Sequence, residues 1–144
     1  MYQNNGVNTY LDNVVKTAGP AKLVELLYAN AVERLTKSVK MIEEKNYPEA
    51  NKQITRVEDI INELNISLNM EVGGTISENL RSLYNYMYRR LVDANIKKDT
   101  EILEEVKGLI SDLLETWKEA MKNSVGTVKQ LSNDVNRAKF DIET

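Results

Sequence analysis

A stripe of apolar side chains between residues 79 and 99 constrains the fold of this chain more than any other feature. A capping box, Thr75-x-x-Glu78, lies just upstream, and Asp99 and Thr100 offer the next helix cap. The stripe recurs at steps of three and four, the spacing that places side chains on one face of an α-helix: Leu80, Leu83, Tyr84, Met87, Tyr88 and Leu91. We therefore predict a helix that forms the central wall of a helical core.

This helix carries more apolar surface than one buried face needs. Val92 and Ile96 continue the apolar surface past Tyr88, around one flank of the helix. A helix that packs on one side only would present polar residues at those positions. The surplus indicates contact with something beyond the core of the chain.

Three further segments show the same periodicity, and short breaks such as Glu71 to Gly74 separate the segments. The other predicted helices extend from 20 to about 45, from 46 or 47 to about 69, and from 99 to about 122. The predicted core positions of the first of these helices are Val24, Leu27 with Tyr28, Ala31, Leu35, Val39 and Ile42. Those of the second are Ile54, Val57, Ile61, Leu64 and Leu68. Those of the last are Leu103, Val106, Ile110, Leu113, Trp117 and Met121. Long helices joined by short loops favour antiparallel neighbours. We predict an all-α, up-and-down, antiparallel four-helix bundle.

A short amphipathic segment precedes the bundle. Val7, Tyr10, Leu11 and Val14 share one helical face, and Ala18-Gly19-Pro20 interrupts the helix before the next one begins. A helix this short is not stable alone, so it is expected to dock on another surface.

The chain ends in a tail that follows a breaker at Asn123 to Gly126. One face of a possible fifth helix is apolar and contains Val128, Leu131, Val135, Ala138 and Ile142. We divide the chain into a bundle, residues 1–123, and a C-terminal tail, residues 124–144.

Composition excludes several function classes. The 144 residues include no cysteine and no histidine, so the usual thiolate and imidazole metal ligands and the Ser-His-Asp triad are unavailable. The net charge is −3 with few basic clusters, which argues against nucleic-acid binding. No apolar run is long enough to cross a membrane, and the N-terminus lacks the pattern of a secretory signal. We expect a cytoplasmic protein that is not an enzyme and needs no cofactor.

Outward apolar residues near two helix ends suggest a groove. Ile66 and Met70 lie opposite the second seam, and together with Tyr88, Val92 and Ile96 they could form a surface that receives a partner's amphipathic helix. The alternative is an adaptor bundle that homodimerises through the same face.

Two tyrosines and a pair of arginines on the same helix have separate predicted positions. We expect Tyr84 to face the core with its hydroxyl at the rim. Tyr86 is placed opposite the seam, beside Arg89 and Arg90, and this pair is interpreted as solvated or salt-bridged surface.

Three blocks of the sequence resemble the flagellin-specific export chaperones, the FliS family. The blocks are NTYLDNVVKTAGPAKLVELLY from Asn8, IINELNISLN from Ile60 and LYNYMYRRLVDANIKKD from Leu83, and the likeness extends to WKEAMK near Lys122. Gly19 stands where the family commonly has serine. The tail from Ser124 onward resembles nothing in the family.

The resemblance implies a monomeric cytoplasmic chaperone that binds the C-terminal segment of flagellin one to one. Such a chaperone prevents premature polymerisation and helps deliver flagellin to the flagellar type III export gate, with other flagellar regulators as further partners. By matching blocks, the client-binding residues would be Asn8, Tyr10, Leu11, Val14, Leu23, Leu27, Ile66, Met70, Tyr88, Val92 and Ile96. The tail could fold back into the client groove as a placeholder; a fifth bundle helix or a frayed end are the alternatives.

Overall fold

The structure is a computed structural model that describes the backbone of residues 5–123 and the side chains of residues 19–123. The described part contains four helices and no strand: α1 (Asn5–Glu43), α2 (Tyr47–Ile66), α3 (Met70–Lys97) and α4 (Thr100–Lys122). The all-α prediction is therefore confirmed. The predicted fifth helix lies outside the described residues.

The four helices form a square in which each packs against its two neighbours. Helix α1 contacts α2 and α4, and α3 contacts the same two helices from the other side. Two amide pairs show the direction of α2 against α3: Asn51 pairs with Asn95 at 2.8 Å, and Asn65 pairs with Asn85 at 2.9 Å. Because the later residue of α2 meets the earlier residue of α3, the two helices are antiparallel, as the short connections require.

The core is built from the apolar stripes that the sequence predicts. The largest fully buried side chains are Tyr28, Tyr84, Leu35, Ile54, Ile61, Leu64, Leu83, Met87, Leu91, Leu103, Ile110 and Val57. Val24, Leu27, Val39 and Ile42 pack against this cluster but stay half-buried. One assignment at the end of α4 is wrong, because the Met121 side chain is 43% exposed and lies beyond the seam.

Gly19 separates α1 into two helical parts. Its φ of 80° and ψ of −173° are not helical, and the positive φ suits glycine because it has no Cβ. Pro20 follows at once and begins the second part, where a missing backbone N–H costs nothing. The predicted interruption is confirmed, and residues 5–18 are helical in the backbone. The second part ends at Glu43, slightly earlier than predicted.

The junction between α2 and α3 differs from the prediction. Helix α2 ends at Ile66 instead of near residue 69, and α3 begins at Met70 instead of after the predicted break at residues 71–74. Asn69 explains the early start, since its side chain accepts a hydrogen bond from the backbone N–H of Val72 at 3.0 Å. At the position of the predicted break, α3 has only a kink at Gly74, which has a φ of 53° and a ψ of −126°.

The capping box predicted for Thr75 and Glu78 lies inside α3 and does not begin it, whereas Asn46 caps α2 and Asp99 caps α4 as predicted. The Asn46 side chain accepts from the backbone N–H of Glu49, and the Asp99 side chain accepts from the N–H groups of Glu101 and Ile102. Each satisfies donors that the first turn of a helix leaves without intrahelical partners.

Candidate functional site

An apolar pocket of about 360 Å³ opens at the end of the bundle where α2 joins α3. We call it the junction pocket. All four helices contribute to its wall, which is lined by Val24, Tyr28, Leu64, Ser67, Leu68, Asn69, Val72, Gly73, Ile76, Ser77, Leu80, Tyr84 and Trp117. A pocket of this size, with an apolar lining and few polar groups, has the character of a binding site.

The polar groups of the junction pocket include two buried tyrosines from opposite helices. The hydroxyl oxygens of Tyr28 and Tyr84 are 2.6 Å apart in a hydrogen bond. Burial raises the pKa of Tyr28 to about 12, although the bond from Tyr84 opposes the shift. Burial also raises the pKa of Tyr84, and Tyr28 adds to that shift. The expectation that the Tyr84 hydroxyl lies at the rim is wrong, because Tyr28 satisfies it inside the core.

Trp117 forms the α4 side of the junction pocket. Its indole Nε1 donates a hydrogen bond to the backbone oxygen of Ala21 at 2.8 Å. Its ring meets that of Tyr28 edge to face, with centroids 6.2 Å apart. The end of α4 is thereby fixed to α1 immediately after the interruption at Gly19.

Three apolar side chains of α2 and α3 are more than three-quarters exposed. Val72, which lines the junction pocket, is 84% exposed, and Ile66, which precedes the lining residue Ser67, is 82% exposed. Ile96 is 77% exposed but lies at the opposite end of α3. Single exposed apolar residues are common, but an apolar pocket with Val72 exposed at its edge is a candidate contact surface.

The structure divides the predicted α2–α3 groove into two regions. We call Ile66, Met70 and Val72 the junction patch, and Tyr88, Val92 and Ile96 the α3 row. Met70, Tyr88 and Val92 are half-buried, and Tyr88 packs against the core. At a rise of about 1.5 Å per residue, positions 72 and 96 are separated by up to about 36 Å along the helix. The predicted residues therefore lie in two separate regions and not in one compact groove.

The α1 residues of the predicted site fall into two groups. Leu23 and Leu27 lie shortly after the interruption and are half-buried, and Leu27 packs against the core. Asn8, Tyr10, Leu11 and Val14 lie on the helical part before Gly19; their side chains are outside the described range. No geometry therefore joins this second group to the junction patch.

Tyr86 has a structural role between α3 and α4, which corrects its placement opposite the seam. Its hydroxyl donates to Oε2 of Glu105, and Nε of Arg90 donates to Oε1 of the same carboxylate at 3.0 Å. Burial and then the Glu105 carboxylate raise the pKa of Tyr86. Arg90 is salt-bridged as interpreted, and Arg89 is exposed.

Several lining residues were not predicted as site residues. Val72 and Ile76 flank the glycine pair, and Leu68 and Trp117 were assigned only to helix seams. Their shared signal is position, because each lies near the end of a helix at the same end of the bundle. That relationship depends on the fold and cannot be taken from one segment of sequence.

The described residues provide neither a metal site nor a membrane-spanning helix. Across the described residues, no group of acidic side chains is arranged to hold a metal ion. Nor does any helix in this part of the chain have the length and apolarity that would let it cross a membrane.

The fold and the site together define a class of protein, a small antiparallel helical bundle with an apolar surface suited to contact with another polypeptide segment. Residues 3–124 match the model of a family described as "Flagellar protein FliS". The chain is 36% identical over 119 residues to the flagellar secretion chaperone FliS of Bacillus subtilis (strain 168), covering 83% of this chain and 88% of that protein. It is 35% identical over 124 residues to the protein of the same name from Salmonella typhimurium, covering 83% and 92% of the two chains. The chain therefore belongs to the FliS family of flagellar secretion chaperones.

Proposed function

We propose that this chaperone binds the C-terminal segment of flagellin in the bacterial cytoplasm, prevents its premature polymerisation and assists its export through the flagellar type III apparatus. The observation that carries the proposal is the exposure of apolar side chains in both regions, Val72 at the junction pocket and Ile96 near the end of α3. Family membership supports a flagellar client, and the exposed apolar side chains support a client segment that has an apolar face.

The surface suits an amphipathic segment that is unfolded before it binds. Such a segment loses conformational entropy when it becomes ordered on binding. An extended apolar contact is needed to offset that loss. The junction patch and the α3 row provide contacts at two places separated by up to about 36 Å. A client helix or extended segment that follows α3 could use both. A compact folded client could not.

We assign the contacts as the sequence blocks suggest. On the proposed surface the client meets Ile66 and Met70 at the junction, Tyr88, Val92 and Ile96 along α3, and Leu23 and Leu27 from α1. The helical segment before Gly19 contributes Asn8, Tyr10, Leu11 and Val14. Delivery would then involve the export gate, and other flagellar regulators are possible further partners. Neither nucleotide nor metal has a part in this mechanism.

A calorimetric titration with a synthetic peptide of the flagellin C-terminal segment tests the proposal. The unmodified chain should bind one peptide per monomer. Ile66→Ser should weaken binding by about tenfold, since removing one well-packed apolar contact is worth roughly 1–2 kcal/mol. Thr36→Ser is the control, because Thr36 is an exposed residue of α1, which packs against α2 and α4 and not against α3, and its change should leave affinity unaltered.

The N-terminal segment needs a separate variant. Tyr10→Ala should weaken peptide binding more than it lowers the thermal midpoint. Light scattering with and without peptide completes the test, because a monomer that forms a one-to-one complex supports the chaperone. A stable dimer that ignores the peptide would contradict the proposal and favour a homodimerising adaptor.

A further inference from the structure

The C-terminal tail lies beyond the family match and begins near the junction pocket. The family match ends at residue 124, whereas the chain continues to Thr144. Helix α4 ends at Lys122, and Trp117 in the pocket wall lies six residues before Asn123. At about 1.5 Å per residue, the tail therefore starts within roughly 9 Å of this wall along the helix axis.

The length of the tail allows it to return to the junction pocket. Residues 124–127 separate Asn123 from the first position of the apolar stripe, Val128, and an extended linker of this length spans up to about 13 Å. That reach exceeds the axial distance from Asn123 back to Trp117. The apolar stripe can therefore lie over the pocket without any change in α4.

The chemistry of the tail fits an apolar surface on a weakly acidic protein. The stripe contains Val128, Leu131, Val135, Ala138 and Ile142. Lys129, Arg137 and Lys139 balance Asp134, Asp141 and Glu143, so the tail has no net charge and the net −3 of the chain lies elsewhere. A helix of about 15 residues is marginal alone, so these residues need a surface to fold against. The junction pocket and Val72 at its edge offer that surface.

We propose that residues 124–144 dock as an amphipathic helix over the junction pocket and compete there with the client. The docking of the tail concerns this chain alone, whereas its competition with the client rests on the proposed function. A tethered segment acts at an effective concentration near the millimolar range, so even weak intrinsic affinity keeps it bound. The apparent Kd of the client would then equal its intrinsic Kd divided by the fraction of molecules whose surface is uncovered.

Disulfide crosslinking in dilute protein tests, without any client, whether the tail docks on the junction pocket. The chain has no cysteine, so only introduced pairs can react. Val72→Cys with Ser132→Cys should form the intramolecular disulfide at least about tenfold faster than the control pair Ile66→Cys with Ser132→Cys. Val72 and Ile66 are similarly exposed, at 84% and 82%, and lie at the same end of the bundle, but of the two only Val72 lines the junction pocket. Equal rates, or disulfides that join two molecules, would overturn docking on this pocket.

The emission of the single tryptophan provides a second test of whether the tail docks on the pocket. Trp117 is half-buried in the pocket wall, and it is the only tryptophan of the chain. Leu131→Ser with Val135→Ser should shift its emission toward that of a solvated indole, while the polar-face change Gln130→Ser should not. No shift with either variant would count against contact between the tail and the pocket.

Titration with the flagellin C-terminal peptide tests whether the tail competes with the client. A chain ending at Asn123 should bind the peptide about three- to tenfold more tightly than the full chain. Unchanged affinity together with preferential crosslinking overturns competition and leaves docking intact. Absence of peptide binding in both chains, with crosslinking as expected, would show that the proposed function fails while the tail still docks.

Discussion

The indole Nε1 of Trp117 donates a hydrogen bond to the backbone oxygen of Ala21, 96 residues earlier in the chain, at a distance of 2.8 Å. Ala21 lies two residues after Gly19, where α1 is interrupted. The bond therefore fixes the start of the long part of α1 to the last turns of α4. It also holds the α4 wall of the junction pocket in place, since Trp117 lines that pocket.

Trp117→Phe should lower the free energy of unfolding by about 1–2 kcal/mol. Phenylalanine keeps an aromatic ring beside Tyr28 but removes the N–H donor, whose hydrogen bond contributes roughly 1 kcal/mol, and part of the packing. Urea unfolding followed by far-UV circular dichroism measures the change. Tyr47→Phe is the control, because Tyr47 is 45% exposed and its change should cost less than about 0.5 kcal/mol. Equal costs for the two variants would contradict the role of the indole bond.

Tyr84→Phe should destabilise the protein more than the double change Tyr28→Phe with Tyr84→Phe destabilises it. The single change leaves the buried Tyr28 hydroxyl without its partner, which costs about 1–3 kcal/mol. The double change removes both polar groups and keeps the shape, which is close to neutral. A double-mutant cycle from urea midpoints measures the coupling between the rings. Additive costs would show that the hydroxyls do not depend on one another.

Stability should fall as the pH rises from 10 to 12. The pKa of Tyr28 is about 12 in the folded protein against 10.0 for an unperturbed tyrosine, so both states are protonated below pH 10 and the contribution is fully present there. Above pH 10 the unfolded state releases its proton first, and on the order of 3 kcal/mol is lost by pH 12. Urea midpoints across this range measure the loss. The double phenylalanine variant should lose markedly less, since it lacks both buried hydroxyls.

The helical part of the fold could be predicted because its signals are local. The stripe from Leu80 to Leu91 needs only its own spacing, and Asp99 caps α4 through neighbours two and three residues away. The surplus apolar surface was also visible, since Ile66 and Ile96 lie away from the seams and are exposed as expected.

The contacts between distant residues could not be predicted from periodicity. Tyr84 pairs with Tyr28, which lies 56 residues earlier, so its hydroxyl is buried although its own helix gives no sign of a partner. Tyr86 is held by Glu105 of the next helix for the same reason. The junction pocket requires helix ends that meet only in the folded bundle, and helical spacing does not place Trp117 beside Val24.

Gly73→Ala should destabilise the protein by about 2 kcal/mol or more, although alanine is normally the better helix former. A Cβ at this position would lie 1.8 Å from Oγ and 2.8 Å from Cβ of Ser77. Ser77 cannot move freely, because it is buried and its hydroxyl donates to the backbone oxygen of Asn69 at 2.9 Å. Urea unfolding with far-UV circular dichroism measures the cost.

Gly108→Ala provides the matched control for Gly73→Ala. Gly108 lies inside α4 with no atom within 4 Å of a built Cβ, so alanine there should stabilise the protein by about 0.5–1 kcal/mol. Adding Ser77→Ala to Gly73→Ala should recover part of the loss, because it removes the 1.8 Å contact but leaves the 2.8 Å approach to Cβ. A stabilising effect at both glycines would mean that Ser77 yields easily and that the close approach does not hold the α2–α3 junction.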